Sequence, residues 1–164
     1  MKSSTLLTIT MLALAGLMAP TTVRAQSPHF VGKVTAKLTG NDVQVCFKEA
    51  GLGNNQNITY EASATATATY VCVNGGGNCP NAANKTTVNG PVSAVGTFNS
   101  GQNGSISQCL TFNPPSAGAF TCPGGQTVTL SEVSYSGIKI KDTTNNVSQA
   151  AAPGALGVTP FTCP

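Results

Sequence analysis

The stretch that decides the fold is ITYEASATATATYVC, residues 58–72. Its even-numbered positions are Ile, Tyr, Ala and Cys, whereas its odd-numbered positions are Thr, Glu and Ser as far as Thr69. Alternation with a period of two is typical of a β-strand that buries one face, and threonine favours strands because its branched Cβ restricts χ1. The run exceeds the usual strand length, so we predict one long strand with a bend or bulge part-way along.

The residues that follow the strand predict a tight reversal of the chain. The glycine triplet at 75–77 permits positive φ angles, which lets the chain turn back on itself. Cys72 and Cys79 flank the turn, so a disulfide between them is favoured locally. Such a bond would stabilise the tip by about 2–3 kcal/mol in the loop-entropy description.

The same alternation recurs along the chain between clusters of Gly, Asn and Pro, and it predicts about eight strands. They lie within residues 34–38, 43–47, 58–72, 92–98, 106–112, 126–135, 136–142 and 156–163. The first two form a hairpin around Gly40-Asn41, and no segment has a helical period. We therefore predict an all-β fold, an antiparallel β-sandwich of the broad immunoglobulin-like type, with a small closed β-barrel as the alternative.

The N-terminal 25 residues have the composition of a secretory signal peptide. Lys2 precedes an apolar run of about 14 residues, and small residues precede Gln26. We predict cleavage after Ala25, which leaves residues 26–164 as a single secreted domain. No later apolar run reaches the roughly 20 residues that a spanning helix needs, so no membrane span is expected.

The charge of the mature chain restricts its partners. Removal of the signal peptide leaves six lysines, no arginine and five carboxylates. A nearly neutral surface without arginine lacks the basic patch that binding to nucleic acid or to an anionic membrane requires. We therefore expect neither kind of partner.

All six cysteines lie in the mature part, at positions 46, 72, 79, 109, 122 and 163. An even number in an exported chain predicts three disulfides, although six cysteines allow 15 pairings that sequence alone does not distinguish. Cys109 and Cys122 bracket a Pro-containing excursion and form the second locally favoured pair. Cys46 and Cys163 would then form the third. No C-x2-C motif occurs and His29 is the single histidine, so we predict no metal site and no cofactor.

The candidates for catalysis each have a simpler structural interpretation. His29 lies before the first strand and has no second histidine or catalytic serine arrangement to work with. A glycosidase needs two carboxylates facing each other across a cleft. The five carboxylates are Asp42, Glu49, Glu61, Glu132 and Asp142. We interpret Asp42 and Asp142 as surface residues. Continued alternation with Val128 and Leu130 would point Glu132 inward, but a solvated or bulge-associated carboxylate is the favoured interpretation; no catalytic residue is predicted.

Two further patterns concern the surface. Thr65, Thr67 and Thr69 form one polar row, which we interpret as the solvent-facing side of the long strand rather than as an ice-binding array. Four sequons occur, and each falls in or beside a predicted loop. The asparagines of these sequons, which are the candidate glycosylation sites, are Asn57, Asn84, Asn103 and Asn146.

The segments CVNGGGNCPNAANK (72–85), TVNGPVSAVGTF (87–98) and CPGGQTVTLSEVSYSGIKIKDTTNNV (122–147) resemble a group of small secreted proteins of filamentous fungi and actinobacteria. The resemblance covers roughly residues 30–148. It implies an all-β fold, brings no catalytic or ligand residues with it, and associates the chain with effector candidates.

These observations lead us to expect a small secreted, disulfide-stabilised binding protein without catalytic activity. Its ligand would be a protein or glycan at a cell surface or wall, and a role as a host-interaction effector falls within this expectation. The loops at 50–57, 73–90 and 99–104 are the expected binding surface. The alternatives are a self-assembling structural component of the wall and a carboxylate-dependent polysaccharide hydrolase.

Overall fold

A computed structural model describes residues 27–80 and 84–164. Within these ranges the protein is all-β. The strands are β1 (His29–Phe30), β2 (Val34–Thr39), β3 (Asp42–Ala50), β4 (Asn57–Asn74), β5 (Lys85–Asn99), β6 (Ser105–Phe112), β7 (Gln126–Asp142), β8 (Val147–Ala152) and β9 (Ala155–Val158). No helix in the described part of the chain is long and apolar enough to cross a membrane. The predicted signal peptide, residues 1–25, lies outside the described residues.

The strands form one sheet in the order β1-β3-β2-β8-β7-β4-β5, with β6 alongside β3 and β9 alongside β7. All pairs are antiparallel except β2 and β8, which run parallel over two residue pairs. The sheet is therefore mixed, which corrects the prediction of a purely antiparallel arrangement. It is also open, because β5 and β6 lie near each other without pairing in the described ranges. The alternative of a closed barrel is wrong for this reason.

The described residues contain nine strands where the sequence predicted about eight. The segments 126–135 and 136–142 form one strand, β7, because Gly137 adopts a positive φ of 64° and produces a bulge instead of ending the strand. Strands β1 and β8 match none of the predicted segments. Pro153 ends β8, since it has no N–H for the ladder, and the alanines before it are extended.

The alternation in β4 buries the side that was predicted. The even-numbered residues from Ile58 to Ala68 are all buried, whereas the odd-numbered ones face solvent to different degrees. The predicted irregularity is present twice, because the pairing of β4 with β7 shifts register between Ser63 and Thr65 and again between Thr69 and Tyr70. At each shift two β7 residues face one residue of β4, which is the definition of a β-bulge.

Side chains from distant parts of the sheet meet in one core. The rings of Phe47 on β3 and Tyr60 on β4 lie 4.4 Å apart between centroids, although three strands separate β3 from β4 in the sheet order. Phe112 on β6 packs against Tyr135 on β7 in the same way, at 5.9 Å. The Tyr135 hydroxyl donates a hydrogen bond to the carbonyl oxygen of Asn41. Strands that are distant in the sheet order thus pack their apolar side chains against one another in one interior.

All six cysteines form disulfides, as predicted, but the three favoured pairings are wrong. The structure pairs Cys46 with Cys109, Cys72 with Cys122, and Cys79 with Cys163. Cys46 and Cys109 are direct neighbours in the ladder between β3 and β6, with Cα atoms 4.0 Å apart. The Cys72–Cys122 bond attaches the 113–125 loop to the end of β4, and the Cys79–Cys163 bond attaches the C-terminal tail to the connection between β4 and β5.

The turn after β4 needs no disulfide because Asn74 closes it. The Asn74 side-chain oxygen accepts hydrogen bonds from the backbone N–H of Gly76 at 3.0 Å and of Asn78 at 2.9 Å. The backbone N–H of Asn74 also donates to the carbonyl oxygen of Asn78. Cys72 is buried at the end of the strand while Cys79 is partly exposed beyond the turn, so each is available to a different segment of the chain.

Gly96 is required where β5 approaches β6. A Cβ atom at this position would lie 2.8 Å from Leu110 Cδ2 and 2.9 Å from Phe98 Cζ, closer than such atoms pack. We expect Gly96→Ala to lower the free energy of unfolding by about 1–3 kcal/mol, because Leu110 and Phe98 must both move within the packed interior. Urea denaturation of the oxidised protein measures this change.

Gly90→Ala is the matched control, because Gly90 lies on the same strand and the same side as Gly96 but has no atom within 4 Å of the added Cβ. It should leave the free energy of unfolding unchanged or raise it slightly. Equal losses in both variants would show that strand conformation, and not contact with β6, makes glycine necessary at position 96.

Candidate functional site

The first candidate is a buried group of polar side chains beneath the loop after β3. It consists of Glu49, Tyr60 and Asp142, each of which is fully buried. Glu49 continues the buried alternation of Val43, Val45 and Phe47 on β3. Asp142 continues that of Ile138 and Ile140 on β7, and it faces Tyr60 in the ladder between β4 and β7. Two carboxylates therefore occupy positions that the strand pattern reserves for apolar residues.

The two carboxylates are held very differently. Asp142 accepts hydrogen bonds from the backbone N–H groups of Thr144 and Asn145 and from the Asn145 side chain, at 2.7–2.9 Å. Among the described residues, neither carboxylate oxygen of Glu49 has a hydrogen-bond partner, and the Tyr60 hydroxyl has none. An unpaired buried carboxylate is costly when ionised, so Glu49 is stable there chiefly as the neutral acid.

Burial raises the pKa of Glu49 from its ordinary 4.5 to about 7. The nearby Tyr60 hydroxyl acts in the opposite direction, although it is not aligned for a hydrogen bond, and the charge of Asp142 raises the pKa of Glu49 further. Burial likewise raises the pKa of Tyr60 well above its ordinary range. The group therefore binds a proton near neutral pH while its three side chains are shielded from solvent.

The structure also locates the other polar residues that the sequence singled out. His29 is exposed on β1, with Nδ1 2.8 Å from the carbonyl oxygen of Ser27. Asp142 is buried, which corrects its interpretation as a surface residue. Glu132 is exposed beside an irregularity of the β4–β7 ladder, which agrees with its interpretation as a solvated or bulge-associated carboxylate and not with the inward alternative. Among the described residues, no three His, Cys, Asp or Glu side chains are grouped so as to hold a metal ion.

The second candidate is a groove of about 440 Å³ at the opposite end of the sheet. We call it the tail groove, because the C-terminal tail forms one of its walls. It is defined by Thr69 from β4, Lys85 from β5, Ser131 and Glu132 from β7, and Thr159 and Phe161 from the tail. Its volume falls in the range of small-molecule sites, about 300–1,000 Å³.

A β-bulge opens the floor of the tail groove. Thr69 pairs with Glu132 and Tyr70 pairs with Leu130, so Ser131 is the extra residue on β7. The Ser131 hydroxyl donates a hydrogen bond to the carbonyl oxygen of Thr69 at 3.0 Å. Because the extra residue reverses the phase of the strand, Glu132 turns outward and becomes part of the groove instead of the core.

The Cys79–Cys163 disulfide holds the outer wall of the groove in place. It joins the tail to the end of the β4–β5 turn, and both of its cysteines contribute to the lining. Phe161, two residues before Cys163, therefore lines the groove together with Val71 of β4, and the two residues form its apolar part. The groove combines an aromatic ring, one ammonium group, one carboxylate and several hydroxyls, which suits a polar ligand with an apolar face.

The three loops that we expected to bind a ligand separate into two groups. Those at 50–57 and 99–104 meet, because the Leu52 N–H donates to the carbonyl oxygen of Gly104 at 3.0 Å and the Asn55 N–H donates to that of Gly101 at 2.7 Å. The segment 73–90 lies at the other end of β4, and its part from Lys85 onward is strand β5. Only this segment contributes to the tail groove.

The predicted glycosylation sites are also divided between the two ends. Asn57, Asn103 and Asn146 are exposed near the loop end of the molecule, in or beside turns. Asn84 is partly buried and belongs to the lining of the tail groove. Glycosylation at all four positions stays a prediction, and a glycan on Asn84 would occupy the groove.

No family model matches the chain, and comparison with curated proteins also gives no match.

Proposed function

We propose that the protein is a secreted binding protein without catalytic activity, which takes up a polysaccharide of a cell wall or cell surface in the tail groove. The observation that carries this proposal is that Phe161 and Val71 line one groove together with hydroxyl, amide and single charged groups. An aromatic ring stacks on the apolar face of a sugar ring, while hydroxyl and amide groups bond to its hydroxyls.

The three disulfides support the extracellular part of the proposal, because such bonds persist in oxidising compartments. Cleavage of residues 1–25 as a signal peptide belongs to the same proposal. So does membership of the group of small secreted fungal and actinobacterial proteins, and with it a role as a host-interaction effector. An immunoglobulin-like sandwich is our proposed description of the fold, supported by the contact between Phe47 and Tyr60 across the core.

The distribution of carboxylates supports binding over hydrolysis. A glycosidase mechanism needs two carboxyl groups on either side of the scissile bond. Glu132 is the one carboxylate in the described lining of the tail groove, and Glu49 and Asp142 are buried at the other end of the sheet.

Strand β5 favours self-assembly as a second candidate function. It has 15 residues, pairs with β4 alone in the described part of the chain, and exposes Val95 on its outer side. An edge of this length can pair with a second copy, although Pro91 lacks the N–H that one position of the new ladder needs. A monomer at high concentration in size-exclusion chromatography would remove this candidate.

We expect Phe161→Ala to weaken binding of wall oligosaccharides about tenfold, because the stacking surface is lost, which corresponds to roughly 1.4 kcal/mol. The measurement is calorimetric titration of oxidised, unglycosylated protein with soluble fragments of chitin, β-1,3-glucan and pectin, so that no glycan on Asn84 fills the groove.

Phe120→Ala is the matched control, since Phe120 is a partly exposed phenylalanine of the 113–125 loop that does not line the groove. It should bind like the unaltered protein. Absence of binding to every fragment, or equal losses in the two variants, would contradict the proposed site.

A further inference from the structure

The outer side of β4 faces solvent between β5 and β7, and it connects two hollows in the surface. Thr65, Thr67 and Thr69 form its central row. The hydroxyls of Thr67 and Thr69 take part in cross-strand contacts, since the Asn89 side chain donates to Thr67 at 2.7 Å and the hydroxyls of Thr69 and Thr87 lie 3.2 Å apart. The row is therefore an ordered polar surface, flanked on both sides by neighbouring strands.

The second hollow, which we call the bulge hollow, has a volume of about 430 Å³ and lies at the other β4–β7 bulge. There Thr65 pairs with Ser136 and Ser63 pairs with Lys139, so Gly137 and Ile138 face a single residue of β4. The tail groove lies at the Ser131 bulge in the same way. Each irregularity of the β4–β7 ladder thus opens one hollow on the same face.

The bulge hollow carries an excess of positive charge. Lys139 and Lys141 both line it, together with Glu61. Glu61 faces Lys141 directly in the ladder, whereas Lys139 faces Ser63, which has no charge. Lys139 is exposed and has no carboxylate opposite it, so the hollow suits a ligand group with a negative charge.

The spacing of the hollows defines the size of a ligand that would occupy both. From Ser63 to Thr69 the strand advances about 20 Å, at roughly 3.3 Å per residue. This distance exceeds a single sugar ring and corresponds to several units of a linear chain. The hydroxyl row between the hollows can accept and donate hydrogen bonds along the whole path.

We propose that the ligand is an extended acidic polysaccharide that lies along the outer side of β4, with a ring against Phe161 in the tail groove and a carboxylate group beside Lys139 and Lys141 in the bulge hollow. This inference rests on the proposed function, whose ligand class and binding path it defines. It also assigns a role to the threonine row of the sequence, since the alanines fill the core while the threonines line the path.

A polysaccharide fits this face better than a protein strand or a protein surface. The backbone groups of β4 are already paired on both sides with β5 and β7, so no edge is available for strand addition. Protein interfaces centre on buried aromatic and arginine side chains. The described chain has no arginine, and this face offers Phe161 alone among the aromatic residues of the two hollows.

The experiment compares a galacturonic acid trimer with galacturonic acid oligomers long enough to cover both hollows, about 30 Å. We expect the long oligomers to bind the unaltered protein at least tenfold more tightly than the trimer. Lys139→Ala with Lys141→Ala should remove this gain, whereas Phe161→Ala should weaken binding of both ligands. A neutral oligomer of equal length should bind less tightly than the acidic one.

Lys33→Ala with Lys37→Ala is the matched control, because it removes the same charge from two exposed lysines of β2 and its approach that lie outside both hollows. This control variant should still bind the long oligomers more tightly than the trimer by the full factor. Thr67→Glu, which changes neither hollow, should remove the gain and preserve binding of the trimer, because it places a negative charge midway along the path.

The possible failures can be told apart. Equal affinities for short and long oligomers, with binding still dependent on Phe161, would overturn the extended path and leave the proposed function intact. If no oligosaccharide binds, or if a protein partner binds through this face instead, both proposals are wrong.

Discussion

Replacing Cys72 and Cys122 together with alanine is expected to lower the free energy of unfolding by about 4 kcal/mol. The bond closes a loop with a sequence separation of 50 residues, and its loss restores that loop's freedom to the unfolded chain. The loss also releases the 113–125 segment, which has no strand partner of its own within the described chain. Guanidinium denaturation measures the change, and limited proteolysis should show new cleavage within 113–125.

The double variant Cys46→Ala with Cys109→Ala is the informative comparison. Its sequence separation is similar, 63 residues, but β3 and β6 remain joined by the backbone ladder on both sides of the bond. We expect a comparable loss of stability without new cleavage in 113–125. Peptide mapping under non-reducing conditions provides the decisive check, since recovery of a Cys72–Cys79 peptide would contradict the connectivity itself.

The stability of the unaltered protein is expected to fall by about 3 kcal/mol as the pH rises from 4.5 to about 7. Glu49 binds a proton more tightly in the folded protein, with a pKa of about 7, than in the unfolded chain at 4.5. The folded state therefore holds one more proton than the unfolded state between these values. The stabilisation that Glu49 gives to the folded state is complete below the pKa of the unfolded chain. It is lost as the pH rises through the pKa of the folded protein and Glu49 ionises.

Urea denaturation at several pH values tests this dependence. Glu49→Gln should flatten the curve, because the amide has the shape of the neutral acid but does not ionise. Glu132→Gln should keep the original curve, since Glu132 is exposed. A His29→Gln variant tests the one histidine independently. If Glu49→Gln retains the fall in stability, another group is responsible and Glu49 is not the neutral buried acid described above.

Alternation alone predicted most of the strands, because burial on one face of a sheet imposes a period of two on the sequence. It would also have located Glu49, had the pattern of Val43, Val45 and Phe47 been continued by one more step. Asp142 continues Ile138 and Ile140 in the same way. We interpreted carboxylates as surface residues because the favourable hydration of a charged group normally keeps it exposed. At Glu49 and Asp142 the position in the strand alternation determines burial instead.

The tail groove was not predictable from the strand pattern, because it depends on two contacts between distant segments. One is the Ser131 bulge, which exists only through the pairing of β7 with β4 and which reverses the direction that alternation alone gives Glu132. The other is the disulfide between Cys79 and Cys163, separated by 84 residues. The short separation in sequence favoured a disulfide between Cys72 and Cys79, but hydrogen bonds of the Asn74 side chain close that turn instead.

The parallel contact between β2 and β8 has a mechanical consequence. It joins the β1-β3-β2 part of the sheet to the β8-β7-β4-β5 part through two residue pairs, Val34 with Ala151 and Thr35 with Ala152. A force that separates the two parts would break few backbone hydrogen bonds at this boundary. Resistance to such a force must therefore come largely from contacts across the interior, among them the ring pairs Phe47–Tyr60 and Phe112–Tyr135 and the hydrogen bond from Tyr135 to Asn41.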